Sequence, residues 1–127
     1  GEIANSAKVL AKRLGCCVAL ASQVTRSVAP KDDKRPTMSD LRASGEIEEA
    51  ADVIGLLYRP AYYVERSPEF KAGDPTAQDE FDAVKNVLEL AIDKSRQGRT
   101  GVVNLWCDPA RSLVRCRSAF DRAPERF

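Results

Sequence analysis

The sequence predicts an α/β protein with a mainly parallel sheet and a C-terminal antiparallel hairpin. Residues 2 to 14 repeat apolar side chains at helical spacing, and the run Cys17 to Ser22 that follows is apolar without alternation. An unbroken apolar run of that length is what a parallel strand covered on both faces shows. Val53 to Tyr58 repeats the signature after a crossover-length segment, which implies a layered core. Further on the period changes to two on either side of a glycine-bearing turn, the pattern of a hairpin.

Each element has its own warrant. Ile3, Ala7, Leu10, Ala11 and Leu14 fall on one helical face, with Lys8, Lys12 and Arg13 off it and Gly15 placed to cap the C-terminus. After the Cys17–Ser22 strand comes a charged, turn-rich stretch, and a short helix is expected over Glu46 to Ala51. The strand Val53–Tyr58 then leads into residues 60–85, where Pro60, Pro68, Gly73 and Pro75 interrupt every periodicity. A long exposed loop is expected there, with only Glu80 to Lys85 able to extend as a strand or a helical turn. Loops of that length in a compact domain are uncommon unless functional or mobile, so disorder and a partner contact both stay open. Leu88, Leu90 and Ile92 alternate with Glu89, Ala91 and Asp93, and Val103, Leu105 and Cys107 with Val102, Asn104 and Trp106. Gly98 and Gly101 supply the turn between them. A short strand over Ser112 to Arg117 follows the turn at Asp108–Pro109, and residues 121–127 read as a flexible tail.

Composition narrows the function classes. A chain of 127 residues with 43% apolar content is of one-domain size. Its net charge of +1 excludes a globally basic nucleic-acid glove, so any such contact has to be local. Four cysteines without paired C-x-x-C spacing, and no histidine, point to reduced structural thiols and no metal site. No stretch approaches the roughly 20 apolar residues of a membrane helix. A soluble, cytoplasmic protein is expected.

Three places could carry chemistry. In residues 34–52, Pro36 fixes a turn, Ser39 and Asp40 can cap a helical turn, and Gly45 can take a positive φ. Backbone N–H groups around Ser44 and Gly45, beside the Arg42 guanidinium, would suit a phosphate; an ordinary capped loop with a solvated arginine is the plainer reading. Gln23 stands at the carboxyl end of a strand, where open α/β sheets bind ligands, and its amide suits a γ-phosphate or an attacking water. It equally suits capping its own loop. Lys94 and Arg96 stand two apart in an extended segment, so their charges project together, either for function or as a solubilising basic turn.

The run KRPTMSDLRASGEIEEAAD, residues 34–52, resembles the marked loop of DnaB-type replicative DNA helicases, whose common form is close to KRP-x-x-SDLR-x-SG-x-IE-x-x-AD. The likeness runs from the first helix to about Phe120 and is weakest between Tyr63 and Lys85, where the family is usually shorter. It implies that residues 1–120 are the C-terminal portion of a RecA-like motor domain. Residues 21–26 look like the family's SQ-x-x-R motif, which places Gln23 near the terminal phosphate of a nucleotide. Residues 93–101 resemble its K-x-R-x-G-x-x-G hairpin, which implies Arg96 as a finger reaching the neighbouring subunit's ATP, assisted by Lys94. Arg99 departs from the small residue or proline common there. Arg42, Ala43 and Gly45 match the loop that holds single-stranded DNA in the central channel, although Ala43 replaces the usual Glu.

No G-x-x-x-x-G-K followed by Ser or Thr occurs, and no apolar strand ends in an acid placed for magnesium. The resemblance therefore implies a fragment that does not hydrolyse ATP alone, with the main motifs for ATP and Mg²⁺ upstream. It further implies a homo-hexamer translocating 5′ to 3′ on single-stranded DNA, with primase and a helicase loader as partners. Another RecA-like ATPase, of recombinase or clock type, and a non-catalytic nucleic-acid-binding adaptor are the competing expectations.

Overall fold

The computed structural model describes residues 2–24, 32–41 and 44–117. Helix α1 (Glu2–Leu14) is followed by a 3₁₀ turn (Met38–Asp40), α2 (Ser44–Ala50) and β1 (Val53–Tyr58). Three helices come next, α3 (Pro60–Val64), α4 (Pro68–Lys71) and α5 (Pro75–Val84). Strands β2 (Val87–Ser95) and β3 (Gly101–Asp108), a second 3₁₀ turn (Pro109–Arg111) and β4 (Leu113–Cys116) complete the order. The strands form one sheet in the order β1-β2-β3-β4.

Every pairing in that sheet is antiparallel among the described residues. The Arg96 N–H donates to the Asp52 carbonyl at 2.9 Å, joining the end of β2 to the start of β1, and the Cys107 N–H donates to the Asn86 carbonyl at 2.9 Å. In the β3–β4 pair Leu105 faces Cys116 and Asp108 faces Leu113. The α/β class and the hairpin are as expected, whereas the parallel pairing is not seen. The reason lies at Cys17–Ser22, which forms no ladder and is mostly exposed. An apolar run becomes a strand only where a neighbour offers its N–H and C=O groups. None of the described strands does so there, and the one nearby pairing is an isolated bridge between Val24 and Leu41.

Two compact units divide the chain, one holding residues up to Leu56 with Ile92–Gly101, the other Leu57–Ala91 with residues from Val102. In the first, Gly15 at φ +61° ends α1, and the Cys16 N–H returns to the Ala11 carbonyl at 3.1 Å. That is the bond of a left-handed glycine cap. The helix packs on α2 with Ala4, Ala7, Lys8 and Ala11 half-buried. The expected apolar face is only partly used, since Ile3 and Leu14 are 78% and 66% exposed. Likewise β1 buries Ile54 and Leu56 on one face and leaves Val53 and Leu57 open on the other, so it is not covered on both. Before α2, the Thr37 backbone N–H and hydroxyl donate to the Asp40 carboxylate at 2.7 and 2.9 Å, which makes Asp40 the reciprocal cap of its own turn.

The second unit overturns the loop expected at 60–85. Its prolines begin helices instead of breaking them: Pro60, Pro68 and Pro75 each occupy the first helical turn, where a missing N–H costs nothing. Ser67 accepts from the Phe70 N–H at 3.2 Å, and Asp74 accepts from the Thr76 and Ala77 N–H groups at 2.8 and 3.4 Å. Ala61, Val84 and Val87 form a buried cluster against which Val64 and Phe81 pack, and Phe70 meets Phe81 at 5.1 Å between ring centres. A fully buried valine contributes on the order of 2 kcal/mol, enough to hold short helices that are unstable alone. On β2 the deeply buried residues are Val87 and Glu89, with Leu88 and Leu90 half-buried. Opposite them Cys107 is 3% exposed, and the Asn86 side-chain amide donates to its carbonyl at 2.8 Å.

Of the expected elements, the flexible tail at 121–127 lies outside the described residues.

Candidate functional site

The C-terminal end of α2 gathers the site. A helix end leaves its last carbonyls without intrahelical donors and carries partial negative charge, so cations are favoured there. Two reach it from the end of β2: the Lys94 ammonium donates to the Glu48 carbonyl and the Arg96 guanidinium to the Glu49 carbonyl. Alternate residues of an extended chain share a side, and these two bring their charges to consecutive carbonyls.

Asp52, at the start of β1, completes the cluster. Its carbonyl takes the Arg96 N–H, its carboxylate lies 3.7 Å from the Arg96 Nε, and the same oxygen accepts from the Lys8 ammonium of α1. The Lys8 hydrogen bond holds the Asp52 carboxyl below the usual carboxylate range; slight desolvation opposes it, and the charges of Lys8, Arg96 and Lys12 add to it. Lys8, Lys12, Cys16, Asp52, Arg96 and Gln97 border an open cleft of about 670 Å³ in this unit. Arginine offers five N–H donors in a planar fork, so a guanidinium already bonded to one carbonyl keeps donors for phosphate oxygens.

The other sequence candidates fall as follows. Gln23 is exposed, and no hydrogen bond or ion pair ties it to the Lys94–Arg96 pair among the described residues. It immediately precedes Val24, whose bridge partner Leu41 immediately precedes Arg42. Arg42 and Ala43 lie outside the described residues. Gly45 lies in the first turn of α2 and not in the positive-φ region expected for it; a Cβ there would meet open space. The sequence reading missed Asp52 and Lys8. Asp52 closes the 34–52 run directly before a buried strand, a signal that was legible, whereas Lys8 looked like any solvated residue off an apolar face.

Among the described residues no group of three or more His, Cys, Asp or Glu side chains is arranged to hold a metal, so magnesium has no ligand set to name. No helix among them is long and apolar enough to cross a membrane.

Comparison with known proteins gives a consistent result. Residues 1–113 match the model of the DnaB-like helicase C terminal domain. The chain is 40% identical over 114 residues to the replicative DNA helicase DnaB of Rickettsia bellii, covering 84% of the chain and 23% of that protein. It is 38% identical over 123 residues to the DnaB of Geobacillus stearothermophilus, covering 96% of the chain and 24% of that protein. The chain thus spans about a quarter of the length of these curated relatives. Among solved structures it resembles a DnaB-like ATPase domain, with TM-score 0.71 and 33% identity over 92% of this chain and 36% of that one. It also resembles a DnaB-like replicative helicase described with its interactions with primase, with TM-score 0.64 and 38% identity over 82% of this chain and 21% of that one. The RecA-like α/β class of helicase ATPase domains is therefore the fold class of this chain.

Proposed function

Since the chain belongs to the family of the DnaB-like helicase C-terminal domain, we propose that it works as the distal part of an ATP-driven replicative helicase motor. In this reading Arg96 is the finger that stabilises charge on the phosphoryl group transferring in a neighbouring subunit's site, and Lys94 assists it. Gln23 senses the terminal phosphate. Arg42, Ala43 and Gly45 hold the backbone of single-stranded DNA, a contact that positions the strand without reading its sequence. ATP and Mg²⁺ are held chiefly by parts of the protein outside residues 1–127, because the sequence contains no phosphate-loop motif. A homo-hexameric ring supplies the neighbour, and a primase and a helicase loader are its partners, the first suggested by the relative described with primase.

The observation that supports this reading best is the convergence of Lys94 and Arg96 on one helix end, with the axis of that helix beginning just past Arg42. A second supports coupling. The Val24–Leu41 bridge sits between the residue after Gln23 and the residue before Arg42, so a pull on the glutamine is passed to the loop arginine through one backbone pairing. Alternating nucleotide states around a ring would then move the loops, and the strand with them, 5′ to 3′.

The test is Arg96→Ala in the intact parent hexamer. Turnover of ATP should fall by about a thousandfold or more while nucleotide binding is retained, the size expected for a lost finger. Unchanged turnover in an assembled ring would remove the assignment.

A further inference from the structure

We infer that Asp52 is a positioning residue for Arg96, a role that rests on reading Lys94 and Arg96 as trans-acting cations. A finger works by arriving already oriented, since an arginine free to sample its rotamers loses about 2 kcal/mol of side-chain entropy when it is fixed. Asp52 removes that freedom at two levels. Its carbonyl bonds the Arg96 N–H at 2.9 Å and fixes where the side chain leaves the backbone. Its carboxylate, 3.7 Å from Nε, fixes the direction of the guanidinium, whose far edge then meets the Glu49 carbonyl.

The carboxylate is itself held. Lys8 of α1 donates to the same oxygen, keeping Asp52 ionised and anchored from the opposite side. The side chains of Arg96 and Asp52 are 47% and 58% exposed, so the pair is worth little as stability. What it supplies is orientation. Engagement of the Nε edge leaves the outer guanidinium nitrogens with donors, and their present partner, a neutral carbonyl, is one that an anionic phosphate oxygen can displace. Asp52 therefore acts through Arg96 and touches no substrate.

The experiment measures single-turnover and steady-state ATP hydrolysis in the intact hexamer carrying Asp52→Asn, Asp52→Glu, Lys8→Met or Arg96→Ala, and the first and third each combined with Arg96→Ala. Asp52→Asn should lower kcat about tenfold with KM for ATP changed less than about twofold, since geometry and not ground-state binding is lost. Asp52→Glu should recover part of the loss, and Lys8→Met should give a smaller fall of the same kind. Neither Asp52→Asn nor Lys8→Met should slow the Arg96→Ala ring further, because the group they orient is gone. Should Arg96→Ala collapse hydrolysis while Asp52→Asn turns over normally, the inference alone is overturned. Equal losses in both backgrounds would also overturn it by assigning Asp52 a purely structural role. A poorly assembling Asp52→Asn ring leaves Lys8→Met to decide by the same comparison. Normal turnover in Arg96→Ala, by contrast, removes the finger reading itself.

Discussion

Lys8 and Arg96 meet on one carboxylate oxygen, and that shared contact has a consequence for titration. The Asp52 carboxyl is held below its ordinary value chiefly by the Lys8 hydrogen bond. A group whose folded pKa is depressed contributes stability above its unfolded value and loses it as pH falls through the folded one, so the contribution is whole at neutral pH and fades only below about pH 4. Carbon-detected NMR titration should place the Asp52 midpoint below that of an unpaired aspartate, and Lys8→Met should return it most of the way. A midpoint unmoved by Lys8→Met would leave the α1 contact without electrostatic weight. Thiol chemistry tests the second unit at the same scale. Burial raises the Cys107 thiol pKa, against a smaller opposing effect of Arg59, while Cys16, Cys17 and Cys116 are exposed. Thiolate, not thiol, reacts, so maleimide should label Cys107 last; labelling as fast as Cys116 would contradict the packing of β3. The sequence made the shared direction of Lys94 and Arg96 legible through their spacing alone. It could not show their partners, because carbonyls at a helix end carry no residue code.

At the scale of elements, what was legible followed from local chemistry. The hairpin, α2 and the α1 cap came from period, turn glycines and Gly15, and each is present. Residues 60–85 were misread because proline is ambiguous: it ends a helix from within and begins one at the first turn, and only the residue before it decides. Ser67 and Asp74 were that signal. Asp74→Ala should therefore cost about 1 kcal/mol in chemical denaturation of the second unit, the ordinary worth of an N-cap side chain. A change of a few tenths would mean that α5 is held by Ala77 and Val84 without its cap. Cys17–Ser22 failed for the opposite reason, since its composition is right for a strand but a ladder needs neighbours that sequence pattern cannot supply.

For the whole molecule, a net charge of +1 over 127 residues decides how DNA could be held. No general field draws a polyanion in, so the proposed strand contact must come from the few groups of the Arg42–Gly45 loop repeated around a ring. Each phosphate neutralised by a cation releases bound counterions, giving a slope of about −0.7 in log affinity against log salt for single strands. Arg42→Ala in the intact parent should then weaken single-strand binding and flatten that slope by about 0.7 for each protomer engaged. The effect should be the same for unrelated sequences, because backbone contacts carry no base information. Gly45→Ala separates side chain from backbone: a Cβ there meets open space and the residue is helical, so the fold tolerates it. A loss of affinity with an unchanged salt slope would then report close approach of the strand to the Gly45 backbone. Equal affinity and slope for wild type and Arg42→Ala across the salt series would remove the loop from the DNA path.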